Sequence, residues 1–198
     1  MNGVCPGDGE EILPIVDEND IEVGTARRSE IHRRAWRHRA VHIVVYNSRG
    51  QVLLQRRGLL KDTYPGYWDV SVGGHVGAGE SYGDAAAREI REELGIEASL
   101  TRLEKIPACA QTGWEFVELF SCLHEGPFSP PPEEISELQW IDAGEVLHRA
   151  ALDRNWPIAR SGVNSIRLWH EARLPKAKES GNGDPRPLMN SIPMPDYE

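Results

Sequence analysis

The apolar positions of this chain fall into short runs separated by polar and glycine-rich breaks, with few long stretches of one period. Residues 12–16 and 21–24 flank the polar Asp17-Glu18-Asn19-Asp20 and predict a short hairpin. Ser29, with His32 three residues on, predicts the start of a short helix, without the Glu or Gln that completes a capping box. Residues 41–46 form a nearly continuous β-branched run, broken at Asn47-Ser48-Arg49-Gly50 and resumed over 51–57: a strand, a turn and a second strand. Residues 63–68 read as an aromatic loop around Pro65-Gly66, and 69–72 as a short strand ending at Gly73-Gly74.

Residues 84–94 are the clearest helix, with three successive alanines, strong helix formers throughout and Gly95 as the stop. Strands are expected over 103–110 and 114–123, then a proline-rich loop over 127–132. A last strand over 138–141 and a short helix over 143–150 follow. Val163, Ile166 and Trp169 fall near helical spacing and predict a closing helix over 163–173. Residues 1–10 read as a flexible tail, 11–174 as one domain, and 175–198, rich in Lys, Gly and Pro without periodicity, as a disordered tail.

Composition narrows the function classes. A hydrophobic share of 39% and six tryptophans suffice for a core without disulfide or metal staples. The net charge of −9 argues against binding a nucleic acid duplex or an anionic membrane, both of which call for a basic surface. Cys5, Cys109 and Cys122 form neither a C-x-x-C pair nor a finger spacing, which points to a reducing compartment. No secretory signal opens the chain and no run of about 18 apolar residues occurs, so the cytoplasm is the expected location.

The candidate chemistry lies in residues 74–96. On a helix, Glu89, Glu92 and Glu93 fall on an arc roughly 100° wide, beside an apolar stripe of Ala86, Ile90 and Leu94. Like charges at this spacing repel by about 0.2–0.5 kcal/mol per pair. A hard cation such as Mg²⁺ reverses that sign, because it takes oxygen ligands and bridges to phosphate. Glycines at 73, 74, 77 and 79 allow close backbone approach before the helix. The alternative is a solvated acidic face partnered by Arg88 and Arg91.

The segment resembles the signature of the Nudix hydrolase family, G-x5-E-x7-R-E-U-x-E-E-x-G-U with U aliphatic. Gly74, Glu80, Arg88, Glu89, Glu92, Glu93 and Gly95 hold the fixed positions, and Ile90 and Ile96 the aliphatic ones. A chance match is on the order of one in 10⁹ per starting position. The resemblance implies an α/β (α+β) fold, an α/β/α sandwich around a mixed sheet with the signature as loop–helix–loop. It implies Mg²⁺ or Mn²⁺ held by Glu89, Glu92 and Glu93, one of which acts as base, with the Gly73 carbonyl joining them. Glu80 and Arg88 are then a structural pair. The implied reaction is attack of water on phosphorus in a small diphosphate, typically a nucleoside diphosphate linked to another group.

The flanks His38-Arg39-Ala40, Leu54-Gln55-Arg56-Arg57, Tyr64-Pro65-Gly66-Tyr67-Trp68 and Gly74-His75 resemble the isopentenyl-diphosphate isomerase-like branch. That resemblance implies Arg57 and Lys61 as a diphosphate grip, and places His38 and His75 on metal-binding histidines. His32 stands six residues before His38 where the branch has seven. Glu118 falls near an acidic metal ligand, whose companion position falls on Phe116. The isomerase motif S-V-C-G-H reads Ser71-Val72-Gly73-Gly74-His75 here, so glycine stands where the catalytic thiol belongs. Hydrolysis is the leading expectation. Isomerase-like activity and a non-catalytic ligand-sensing module are the alternatives.

Further expectations are that Glu118 adds to the metal cluster, and that Trp114 and Tyr67 stack on an aromatic part of the substrate. Glu133, Glu134 and Glu137 are either general bases or a solvated loop. A homodimer is the self-association left open.

Overall fold

The hairpin forms as predicted from β1 (Ile12–Val16) and β2 (Glu22–Arg27). Asp17 closes it: its Oδ1 accepts hydrogen bonds from the amides of Asn19 and Ile21, both 2.9 Å. In this computed structural model, which describes residues 11–174, α1 (Arg28–Arg34) follows directly and stops at Ala35 in the left-handed region, φ 52°. The tails expected at 1–10 and 175–198 lie outside the described residues.

The main sheet is built on β3 (His38–Tyr46), which pairs in parallel with β8 (Glu115–Leu123) over its whole length. The other pairings are antiparallel: β4 (Gln51–Arg57) with β3, β9 (Ile135–Asp142) and β5 (Trp68–Asp69), and β7 (Thr101–Ile106) with β8. β6 (Val72–His75) pairs with the first half of β3. One strand was expected at 69–72; two short ones form, on different partners. The cause is a fork: β4 pairs with the end of β3 and β6 with its beginning. Ser71 closes the fork, its Oγ accepting from the Val45 amide at 2.8 Å and donating to the Leu53 carbonyl at 2.6 Å.

Alternation along β3 sorts the two faces. Val41, Ile43 and Val45 pack with Leu53 and Phe120 against Ala86, Ile90 and Leu94 of α2 (Tyr82–Leu94). Val44, Val52 and Leu119 pack on the other face against Val146 of α3 (Ala143–Leu152) and Ile166 and Trp169 of α4 (Arg160–Arg173). The architecture is therefore the expected α/β/α sandwich around a mixed sheet.

Most boundaries move by a few residues for local reasons. Helix α2 starts two residues before the expected Asp84, because Ser81 caps it by accepting from the Asp84 amide at 3.1 Å. β7 ends at Ile106, ahead of Pro107, and a 3-10 turn occupies Ala110–Thr112. β9 starts three residues before its expected Leu138; it follows β4 along its length with several exposed residues, which hides it from an apolar pattern. α4 begins at Arg160, one turn early, because Arg160, Ser161 and Gly162 carry no apolar signal.

Candidate active site

The loop before α2 is tied to the helix by one side chain. Arg88 donates to both carboxylate oxygens of Glu80, 2.9 and 3.0 Å, to the His75 carbonyl at 3.0 Å, and to Glu89 and Glu92 at 2.7 and 3.0 Å. Glu80 also accepts from the Gly77 amide at 2.8 Å. Arg88 foremost, and that amide, hold the Glu80 carboxyl below its usual pKa. Gly95 ends the helix at φ 67°, a left-handed position that suits glycine.

The three helix carboxylates are not equivalent. Glu89 and Glu93 are each only 8% exposed, whereas the Glu92 side chain is 58% exposed. Glu89 lies so close to Gly74 that a Cβ there would come within 2.0 Å of its carboxyl carbon. Glu93 accepts from Gln55 Nε2 at 3.0 Å. Burial pushes both carboxyls up; Glu93, which also feels Glu89, reaches about 8. Two adjoining buried carboxylates under that strain form a donor set suited to a hard cation.

Glu89, Glu92, Glu93, Gly73, Gly74, His75, Arg57 and Lys61 all line one cavity of about 1750 Å³. Arg57 is turned partly to its own loop, donating to Thr63 at 3.0 and 3.2 Å, and Lys61 to Glu134 at 2.6 Å. Tyr64, Tyr67, Glu133 and Glu134 also line the cavity. Glu118 does not. Its pairing with Val41 puts it on the α2 side of the sheet, where Arg102 holds it through two bonds of 2.8 Å. Trp114 is likewise outside the lining; its neighbour is Arg37, 5.7 Å from the ring centre. Glu137 is engaged by Arg56 at 3.4 Å.

A second cluster opens off the same cavity. One ligand atom from each of His32, His38, His75 and Glu115 lies within 4.8 Å of the others. The left-handed turn at Ala35 brings His32 back to His38 although the spacing is one residue short. Glu115 faces His38 across the β3–β8 pair, so it, and not position 116 or 118, supplies the carboxylate.

His38 Nδ1 donates to the Trp36 carbonyl at 2.9 Å, which turns Nε2 toward Glu115. That Nε2 is fully buried, has no hydrogen-bond partner among the described residues, and lies 3.6 Å from Glu115. His75 Nε2 lies 3.3 Å from His32 Nε2 and 3.7 Å from Glu115. Burial works against a charged His75, but Glu11 and Glu115 outweigh it and raise it to about 9. Burial and the neighbouring histidines lower His32 to about 4. Burial opposes the Glu115 charge, yet His38 and His75 hold its carboxyl far below the usual range.

Glu115, Glu11, His42, Asp69 and Gln55 were missed from sequence. Glu115 and His42 carried a signal: with a period of two, His42 shares the face of His38, and Glu115 stands on the predicted strand. Glu11, Asp69 and Gln55 reach the site only through tertiary packing.

The NUDIX domain model matches residues 36–161. An uncharacterised Nudix hydrolase of Pseudomonas aeruginosa is 37% identical over 163 residues, 82% of this chain and 95% of that relative. The uncharacterised Nudix hydrolase YfcD of Escherichia coli is 35% identical over 167 residues, 80% and 86% of the two chains. Among solved structures, DR0079 from Deinococcus radiodurans has a TM-score of 0.71 at 30% identity, covering 79% of this chain and 98% of that one. The NUDIX domain of Shewanella oneidensis NrtR, determined with ADP ribose, shares the fold at a TM-score of 0.55 and 17% identity, covering 74% and 99%.

Proposed function

This chain belongs to the NUDIX family and is a Nudix hydrolase, and from that premise we propose that it hydrolyses the diphosphate linkage of a small organic diphosphate with the help of a divalent cation. One observation carries the reading: Glu89 and Glu93 are buried side by side on the wall of the cavity, with Gly74 giving Glu89 its room.

Glu89, Glu92 and Glu93, with the Gly73 carbonyl, are the groups that would hold Mg²⁺ or Mn²⁺. A cation there would neutralise phosphate charge and acidify water. Arg88 keeps Glu89 and Glu92 in place. One of these carboxylates serves as the base that takes the proton from water, and Glu93, buried on the cavity wall, is the one assigned to it. Arg57, at the end of β4, and Lys61, in the segment after it, line the same cavity, where they grip the diphosphate after leaving Thr63 and Glu134. Glu118 and Trp114 have no part in this assignment, since neither lines the cavity.

The scaffold is read as isomerase-like, and the His32–His38–His75–Glu115 cluster favours that kinship. Its bare His38 Nε2, facing a carboxylate and two further imidazoles, fits a second cation, of the kind that accepts nitrogen ligands. Gly73 still offers no thiol, so proton shuttling at carbon has no donor there. Intact signature carboxylates speak against a purely sensing role.

The test is release of phosphate or nucleotide from a panel of diphosphate compounds, with Mg²⁺ or Mn²⁺, by wild type and Glu92→Gln. Turnover that depends on Glu92 supports the reading. Turnover indifferent to it removes the cation assignment, and binding without turnover on the whole panel favours the sensing module.

A further inference from the structure

Helix α4 docks on the sheet more closely than a side chain at 162 allows. A Cβ on Gly162 would lie 2.2 Å from Asp69 Oδ1 and 2.7 Å from the Val70 amide nitrogen. One turn further along the same helix face stands Ser165, fully buried, with its Oγ 2.7 Å from Nδ1 of His42. His42 is on β3, opposite Gly73 in the β3–β6 pair. Its Cδ2 and Nε2 lie 3.4 and 3.6 Å from where a Cβ on Gly73 would be. The imidazole thus borders the cavity beside Gly73 on the α4 face of the sheet, and the Glu89 carboxylate borders it beside Gly74 on the α2 face.

We propose that His42 is a further catalytic residue of this site, its Nε2 donating a hydrogen bond to the substrate diphosphate while Ser165 acts as the positioning residue that holds the ring. The assignment rests on the hydrolytic reading above. It follows from what each nitrogen faces. Nδ1 and the Ser165 hydroxyl share a hydrogen bond; in the tautomer assigned by the proposal the hydroxyl donates, and the proton of the neutral imidazole stands on Nε2. Nε2 belongs to the edge of the ring that borders Gly73. Burial keeps the imidazole below its usual pKa, in the neutral form this arrangement needs. A purely structural role explains the choice of histidine less well. Such a role accounts for the bond between Nδ1 and the buried Ser165 hydroxyl, but gives no use to the Nε2 edge of the ring, which borders the cavity beside Gly73.

The experiment compares wild type, His42→Phe, His42→Gln and Ser165→Ala on a diphosphate that wild type hydrolyses, with melting temperatures measured alongside. The loss of one hydrogen bond to a charged group predicts a fall in kcat/KM of roughly 10- to 100-fold for His42→Phe. His42→Gln, which keeps an amide donor, should recover much of that loss, and Ser165→Ala should fall between them. Nitrogen-15 spectra of wild-type histidines with methylenediphosphonate and Mg²⁺ should show the His42 Nε2 resonance move, which a structural clamp would not do. Kinetics of His42→Phe within twofold of wild type, or an unmoved His42 resonance at saturating methylenediphosphonate, overturns the proposal and leaves the hydrolytic reading standing. Should His42→Phe fail to fold, His42→Gln and the spectra decide alone. A wild-type protein that hydrolyses nothing in the panel fails the hydrolytic reading itself, and this assignment with it.

Discussion

The carboxyl carbon of Glu89 lies 2.0 Å from the point where a side chain on residue 74 would begin, so Glu89 occupies space that only Gly74 leaves open. The neighbouring position is unlike it: a Cβ on Gly73 would meet nothing closer than the His42 ring at 3.4 Å. Gly74→Ala should therefore displace Glu89, whereas Gly73→Ala should be tolerated by packing. A shift of about 1 Å at a reacting centre costs on the order of 100-fold in rate. Steady-state kinetics of the two alanine variants should show that loss at position 74 and a much smaller one at 73. Equal effects would mean that the close approach has no functional weight.

Glu93 gives a prediction about stability. Its carboxyl rises on folding from the ordinary 4.5 to about 8, chiefly through burial. A carboxyl raised in the folded state favours folding while protonated, so its contribution is fully present below 4.5 and is lost as pH rises through 8. In chelator-treated protein, Glu93→Gln should melt higher than wild type above pH 8 and differ little near pH 4.5. Thermal denaturation across that range checks this, and added Mg²⁺ should narrow the gap by stabilising only wild type.

His75 acts over an overlapping window. Glu11 and Glu115 raise it from 6.5 to about 9 against the effect of burial. The stability of that ion-pair group is complete below 6.5 and fades as pH rises through 9. In chelator-treated protein, His75→Gln should thus lose most stability, relative to wild type, below pH 6.5, and the difference should shrink by pH 9. A constant difference across the range would show that His75 is neutral throughout.

Arg88 ties Glu80, Glu89, Glu92 and the His75 carbonyl together. Arg88→Ala leaves the partly buried Glu80 carboxylate with only its Gly77 amide donor and takes the guanidinium donor from the His75 carbonyl, at about 1–3 kcal/mol. Glu80→Gln removes only part of that set. A double-mutant cycle in chemical denaturation should give a clear coupling between positions 80 and 88. Activity should fall for Arg88→Ala by more than the stability loss explains, because Glu89 and Glu92 lose their anchor. Additive effects in the cycle would contradict the structural pairing.

These residues show why part of the site was legible in the sequence and part was not. The carboxylate helix was readable because its spacing is local: Glu89, Glu92 and Glu93 share a face by helical period alone, and Gly95 marks the end. The sandwich followed from the same signature through family resemblance. What period alone could not supply was burial. Glu92 looks equal to Glu93 in sequence, yet one is exposed and the other sealed under Gln55. Glu118 looked like a fourth metal carboxylate because it lies on a strand near the helix. Register decides otherwise, since pairing with Val41 turns it toward Arg102 and leaves Glu115 facing the histidines. His32 reached its cluster through a left-handed residue at Ala35 that has no sequence signature. Asp69 and Ser165 depend on the docking of α4, a contact between distant segments that no local pattern encodes.

The most direct measurement follows a diphosphate substrate in oxygen-18-labelled water with Mg²⁺ or Mn²⁺, using wild type and Glu93→Gln. The account predicts that wild type places one labelled oxygen in a phosphate product, and that Glu93→Gln does so at least about 100 times more slowly. Unlabelled products, labelling unaffected by Glu93→Gln, or conversion of isopentenyl diphosphate to its allylic isomer in place of hydrolysis would contradict it.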